Sequence, residues 1–387
     1  MNIFLDAFID TNFGDNVFVH TITQRYPKHH FFMIMKEGYE SSYHRLAEHE
    51  HNIHLLESSA DKSFLKDMDG MVVVGGDLFW NGNYREWLDA IEVIKGTGGF
   101  VIFLGMSLFD EYTSRTRFSL RVLFSQADVM VLRESVSGQQ AKAIAPRANI
   151  LSATDMAFTT NVSSILEAPV DGGVLGISIR KKIPRNRPDA YQQYCQGMAK
   201  VAKAYLLQDD GHKVRFLALS KGVYDDEVVA REIMQLCPKN LWDRMECVTF
   251  SGNVSAYITQ IQHCEKMICT RFHALVFAIL LNKVFVPIVY EDKVKRLLDE
   301  IGYFGACPRY EDELNEKEIL EGLERKNYQQ EKMEQYLNKA STFFAPVDAY
   351  LDGSDERATT CWKMYPKTLN QIHKLLFKVW NFLKKKQ

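Results

Sequence analysis

The chain has 387 residues, is 46% hydrophobic and 25% charged, and carries a formal net charge of -2. That length suits two α/β domains, and the composition is that of an ordinary globular protein. The near-neutral charge excludes general nucleic-acid binding, which needs a basic surface.

Seven cysteines are scattered without metal-ligand spacing, as expected for reduced thiols in a cytosolic compartment. No apolar run reaches the length of a membrane span. Met1 to Asp6 reads as a strand opening and lacks the basic n-region of a signal peptide. No internal repeat or low-complexity tract is present. Asn2 to Phe8 reads as a first strand, followed by the polar loop Asp10 to Asn16 and a helix from Val17 to Tyr26. This is how a doubly wound domain begins. The loop lacks G-x-G-x-x-G, so a dinucleotide site is not expected. Gly14 reads as a turn residue, Asp15 as a helix cap, and Asn12 and Asp15 as residues able to reach a ligand.

His29 to Met35 is a second strand. The polar stretch from Ser41 to His51 holds a histidine cluster without the pattern of a metal site, and a solvated helix is expected. Met71 to Val74 is a buried strand that ends in Gly75-Gly76-Asp77, where glycines allow close approach of a ligand or a helix. Phe100 to Gly105 is a strand and Phe118 to Phe124 a helix. The strand Val129 to Leu132 delivers Arg133-Glu134-Ser135, read either as a site element or as an ion pair at the sheet edge. Thr159 to Gly173 is the expected linker.

Val174 to Ile179 opens a new strand that ends in Arg180. Lys181, Lys182, Arg185 and Arg187 follow, suggesting an anionic ligand, an anionic membrane or simply an exposed basic loop. Strands and helices then alternate to Met267-Ile268-Cys269, which closes a buried strand. Thr270 is the expected N-cap of the next helix. Phe272, Leu275, Val276, Ile279 and Leu280 give that helix one apolar face. Val284 to Val289 is a strand covered on both faces, and Tyr290 to Lys293 leaves its carboxyl end. Arg271 and His273 thus sit in a first helical turn that is already electropositive. They form either an anion pocket beside a proton-transfer group, or an arginine paired with an acidic neighbour and a satisfied core histidine. Glu311 to Lys339 reads as charged surface helices. From Lys367 a basic amphipathic helix is expected, which lies on an anionic bilayer or packs back on the first domain.

These motifs carry a resemblance. Arg271-Phe272-His273-Ala274, an apolar helix, a strand and then Tyr290-x-x-Lys293 resemble the C-terminal signature of the polysaccharide pyruvyl transferase family. Asn12, Gly14 and Asp15 are similar to its Asn-x-Gly-Asp element. Gly75 and Gly76 stand where the family often has three glycines, with Asp77 in the third place. Arg133-Glu134-Ser135 resembles its Arg-Asp/Glu-x-Ser element, Thr154 to Phe158 its Asp-x-Ala-Phe segment, and Arg180 its strand-terminal arginine.

The resemblance implies an α/β fold of two doubly wound Rossmann-like domains facing a cleft, as in B-type glycosyltransferases. Residues 1–165 are expected on the acceptor side, 170–345 on the phosphoenolpyruvate side, and 346–387 as a helical tail. It implies transfer of pyruvate from phosphoenolpyruvate to a sugar, which is lipid-linked or part of a polysaccharide, as a cyclic ketal. Arg180, Arg271 and Lys293 are expected to bind phosphoenolpyruvate, with His273 as acid and base. Asn12, Gly14, Asp15, Gly75, Gly76, Asp77 and Arg133 are expected to face the acceptor. No metal or cofactor is implied. The expected location is cytoplasmic, with peripheral contact at the inner face of the plasma membrane through the basic tail. A nucleotide-sugar glycosyltransferase of the same shape is the rival reading, with Glu291 or Asp292 aimed at a ribose. A non-catalytic carbohydrate-binding protein is the third.

Overall fold

The computed structural model describes residues 1–79, 84–109, 111–184, 187–222 and 225–352. The first half contains β1 (Asn2–Ala7), α1 (Phe13–Arg25), β2 (His30–Ile34), α2 (Glu40–Ala47), β3 (Ile53–Leu56), β4 (Gly70–Val74), α3 (Arg85–Gly96), β5 (Phe100–Met106), α4 (Ser114–Phe124), β6 (Val129–Leu132), α5 (Ser135–Ile144), β7 (Ile150–Ser152) and α6 (Ser163–Leu166). The second contains β8 (Asp171–Ser178), α7 (Ala190–Leu206), β9 (Lys213–Ala218), α8 (Asp226–Gln235), β10 (Met245–Thr249), α9 (Val254–Gln262), β11 (Cys264–Cys269), α10 (Phe272–Leu280), β12 (Val284–Pro287) and α11 (Asp292–Glu300). Among the described residues α12 (Glu316–Gly322), α13 (Gln330–Ser341) and α14 (Ala345–Leu351) follow.

The strands form two sheets, in the orders β3-β2-β1-β4-β5-β6-β7 and β10-β9-β8-β11-β12. Neighbours within each sheet pair in parallel, as β1 does with both β2 and β4, and β11 with both β8 and β12. Helices cover both faces, so the central strands are apolar throughout: every residue of β4, β5 and β6 is buried. Strand order reverses between β1 and β4 and again between β8 and β11. In such sheets ligands bind beyond the carboxyl ends of the strands at these switch points.

The two halves interlock at the start of α1. Phe13 is fully buried, and its ring stands 5.3, 5.0 and 5.4 Å from those of Phe250, Tyr257 and Phe277 in the second half. Its amide donates to Leu219 O at 2.8 Å. At the far end of α1 the chain returns. Arg25 and Tyr26 donate to Asp348 of α14 at 2.9 and 2.7 Å, and Val347 and Leu351 are buried.

Several expectations need correction. The linker from 159 to 173 carries α6 and the first residues of β8. The helix near 41–51 is not fully solvated, since Ser42, Tyr43 and Leu46 are buried. The charged region from 311 to 339 likewise buries Ile319, Met333 and Tyr336. The N-cap of α10 is Arg271, without a side-chain cap bond. Thr270 is a neighbour of Tyr194 instead, hydroxyl to hydroxyl at 2.9 Å. The basic pattern of 367–387 and Arg185 lie outside the described residues. No helix among the described residues is long and apolar enough to cross a membrane.

Because Phe13 belongs to the cores of both halves, Phe13→Ala is expected to cost about 3–5 kcal/mol. Urea denaturation checks this. An unchanged midpoint would mean that the two halves do not depend on this contact.

Candidate active site

The loops that leave β1 and β4 meet those that leave β8, β11 and β12 around a cleft of about 710 Å³. Asn12, Asp15, Gly76, Asp77 and Arg133 line it from the first half. Arg180, Arg271, His273 and Lys293 line it from the second. Gly14 and Gly75 are not among the lining residues.

On the first side, Asn12 caps α1. Its Oδ1 accepts from the Gly14 amide at 3.2 Å and its Nδ2 donates to Asp15 Oδ2 at 2.8 Å. Burial, with the neighbouring Asp10 carboxylate, pushes the Asp15 carboxyl up to about 7. Arg133 is buried and acts as a hub. It donates to Asp77 Oδ1 at 2.8 Å and to Ser107 Oγ, and stands 3.5 Å from Glu134 and 3.7 Å from Asp155. Burial opposes its charge, but these carboxylates hold the guanidinium firmly protonated. Gly76 makes room for it, since a Cβ there would come within 3.0 Å of Arg133 Nη1.

On the second side, Arg271 forms a two-pronged ion pair with Asp226, at 3.0 and 2.5 Å. Asp226 is fully buried and also accepts the amides of Leu219 and Ser220, each at 3.1 Å. Burial pushes its carboxyl up to about 6 against the pull of Arg271. Ser178 Oγ accepts the amides of Thr270 and Arg271 at 2.9 and 3.1 Å, so those donors are already used. Arg180 lies 4.3 Å over the Tyr290 ring and 3.5 Å from Glu291. Its Nε is buried without a hydrogen-bond partner. Lys293 opens α11, 3.0 Å from Glu291 and 3.7 Å from Asp77 across the cleft. The other loop cations are partly engaged: Lys182 with Glu311 and the Tyr290 carbonyl, Lys181 with the Tyr191 ring, and Arg187 with Asp189.

His273 stands at the junction. A Cβ on Gly14 would come within 2.2 Å of its Nδ1, so glycine is required for the ring to pack against the first turn of α1. The ring meets Phe18 edge-on at 5.4 Å. Nε2 is buried and faces Asp155 Oδ1 at 3.8 Å. Burial lowers the imidazole pKa to about 4, opposed by Asp155 and reinforced by Lys293, Arg133 and Arg271. The ring is therefore neutral at neutral pH.

Asp155 and Asp226 are the residues that reading for a site did not assign. Asp155 lies inside the quoted Asp-x-Ala-Phe segment, which was its signal. Asp226 reads only as the last residue of the loop from Ser220, before a helix that begins at Glu227, and nothing in its neighbourhood in sequence points to Arg271.

A model of the polysaccharide pyruvyl transferase family matches residues 9–292. No curated protein is similar in sequence. Among solved structures, HepE of Anabaena in complex with UDP and glucose is 13% identical, with 93% of this chain and 99% of that chain covered and a TM-score of 0.50. The UDP-GlcNAc 2-epimerase of Neisseria meningitidis, bound to UDP-GlcNAc, is 9% identical, with 91% and 99% covered and a TM-score of 0.56. The UDP-N-acetylglucosamine 2-epimerase of Rickettsia bellii is 10% identical, with 92% and 96% covered and a TM-score of 0.57. These likenesses establish the fold: two doubly wound parallel sheets of the B-type glycosyltransferase kind.

The buried imidazole sets an expected titration. By NMR of labelled histidine, the His273 signal should titrate near pH 4, below the value near 6.5 of a solvated histidine. Gly14→Ala should displace the ring and move both its shift and its midpoint. A wild-type midpoint near 6.5 would show that the ring is not desolvated.

Proposed function

The chain belongs to the polysaccharide pyruvyl transferase family, and from that premise we propose that it moves pyruvate from phosphoenolpyruvate onto two hydroxyls of one sugar as a cyclic ketal. The observation that carries this reading is the meeting of Arg180, Arg271, Lys293 and His273 in one cleft. Phosphoenolpyruvate is small and carries nearly three negative charges. Several fixed cations suit it, and the planar fork of arginine matches both phosphate and carboxylate. Arg180 offers a donor, Nε, that no described residue uses.

The acceptor sugar lies on the first-half side, where Asn12, Asp15 and Asp77 present polar groups and Phe8 and Trp87 present rings. In the reaction, the methylene carbon of the donor takes a proton and one hydroxyl oxygen bonds to the neighbouring carbon. The second hydroxyl then displaces phosphate. One hydroxyl proton ends on the new methyl group and the other leaves with phosphate. His273 serves as the group that gives the first proton and recovers it from the attacking hydroxyl. A bound trianion raises the pKa of the imidazole and so supplies the acid form.

The acceptor is a glycan, free or lipid-linked. The lysine-rich amphipathic pattern of 367–387 supports work at the inner face of the plasma membrane. The rival glycosyltransferase reading draws on neighbours solved with UDP or a UDP-sugar. It is weakened by Glu291, whose carboxylate is engaged by Lys293 and Arg180 rather than left for a ribose.

A thermal-shift comparison tests this. Phosphoenolpyruvate at about a hundred times its dissociation constant should add roughly 2.7 kcal/mol to the folded state, and nucleotide sugars should add none. Arg180→Ala should abolish the shift without unfolding the protein. Arg271→Ala should abolish it too, and should also lower stability because Asp226 is left buried and unpaired. His273→Ala should keep the shift and lose turnover on the order of 10²–10⁴-fold. Stabilisation by a nucleotide sugar alone would favour the glycosyltransferase, and sugar binding without phosphate release would favour a carbohydrate-binding protein.

A further inference from the structure

Asp155 is 2% exposed, and it joins the two halves. It follows β7 and caps the turn Met156–Thr159, where its Oδ1 accepts from the Ala157 amide at 2.9 Å. Its Oδ2 is buried without a hydrogen-bond partner, as is Nε2 of His273. These two unsatisfied groups belong to side chains that face each other, with Oδ1 to Nε2 at 3.8 Å. Buried polar atoms without partners are rare because each forfeits its hydration. A neutral imidazole carries one proton, on one nitrogen or the other. An acceptor-only carboxylate beside Nε2 favours the proton there, which leaves the lone pair on Nδ1, the nitrogen that packs on Gly14 beside the cleft-lining Asp15.

Resting on the reading of His273 as the acid and base, we propose that Asp155 is its positioning residue: it selects the Nε2–H tautomer, directs Nδ1 to the reacting atoms, and closes to a hydrogen bond when the ring becomes imidazolium. The charged groups around the ring are Asp155, Asp77 and Arg133 from the first half and Lys293 and Arg271 from the second. Of the two carboxylates, Asp155 is the one that faces Nε2, at 3.8 Å. Its distance to Arg133 Nη1 is 3.7 Å, so it has a counter-ion even when His273 is neutral. A purely structural Asp155 would need only the turn cap and Arg133, and would have no effect on the imidazole proton.

The test starts with a readout that needs no turnover. Nitrogen-15 NMR of the histidines in the wild-type full chain should show His273 as the Nε2–H tautomer. Asp155→Asn keeps the cap, because asparagine caps about as well as aspartate. Its amide, however, can donate to Nε2 and hold the ring proton on Nδ1. The same exchange beside the histidine of a serine protease lowers kcat by about 10⁴ through the wrong tautomer. Here kcat should fall at least about a hundredfold by the same logic, with KM for phosphoenolpyruvate within about threefold. The alkaline limb of the kcat profile, which reports loss of the imidazolium in the complex, should move to lower pH.

An Nδ1–H tautomer in the wild type overturns the proposal without any variant. So does an Asp155→Asn protein whose tautomer and pH limb are unchanged, whatever its stability. Loss of the phosphoenolpyruvate thermal shift in the wild type would count against the donor assignment instead, and would leave the tautomer result standing.

Discussion

The first turn of α1 is the constraint on which the cleft depends. Phe13 is inserted into the second core, and the next residue, Gly14, has to be bare because His273 occupies the space its side chain would fill. Two neighbouring residues thus meet opposite demands, one for maximal volume and one for none. Together they fix how far apart the switch points of the two sheets stand. Interiors are close-packed and tolerate little slack, so the side chains that leave β1 and β11 inherit their spacing from this contact.

Charge compensation then divides the second half's cleft-lining arginines and lysine into a fixed one and two less constrained ones. Arg271 is held by a fully buried carboxylate that has four hydrogen bonds, two from its guanidinium and two from backbone amides. Removing either partner would strand a buried charge. Arg180 and Lys293 share Glu291, whose side chain is 40% exposed. That carboxylate is held less firmly than Asp226, so its two cations are less fixed than Arg271. Under the proposed reading the donor meets one rigid contact, Arg271, and two less constrained ones. Asp77 extends the arrangement to the first half, where burial opposes its charge but Arg133 and Lys293 hold its carboxyl below the usual range.

Much of this was legible in the sequence because doubly wound folds write their sites at strand ends. The apolar runs of β1, β4, β8, β11 and β12 gave the strands, and the polar residues after each run gave most of the cleft lining. What could not be read is pairing across sequence distance. Asp226 and Arg271 are 45 residues apart, and no local pattern links them. Thr270 was expected at the cap because threonine suits that place, but tertiary contact with Tyr194 takes its hydroxyl. The short strands β3 and β7 were missed for a different reason. They are edge strands of four and three residues, too short to show alternation. The division between acceptor and donor sides, and the roles of the lining residues, still rest on the proposed reaction.

The titrating groups give that reaction an order. His273 is neutral in the open cleft because burial and three cations disfavour its charge. Asp15, near 7, is partly protonated for the converse reason, burial beside another carboxylate. His273 and Asp15 are thus close to uncharged while Arg133 and Lys293 stay charged. Under the proposed reading a bound trianion reverses the balance at His273, since its field offsets Lys293, Arg133 and Arg271 at once. Under the proposed reading the imidazolium needed to protonate the methylene carbon forms only where the donor is bound. The acid is then a property of the complex, and the low pKa that burial gives His273 is what makes it so.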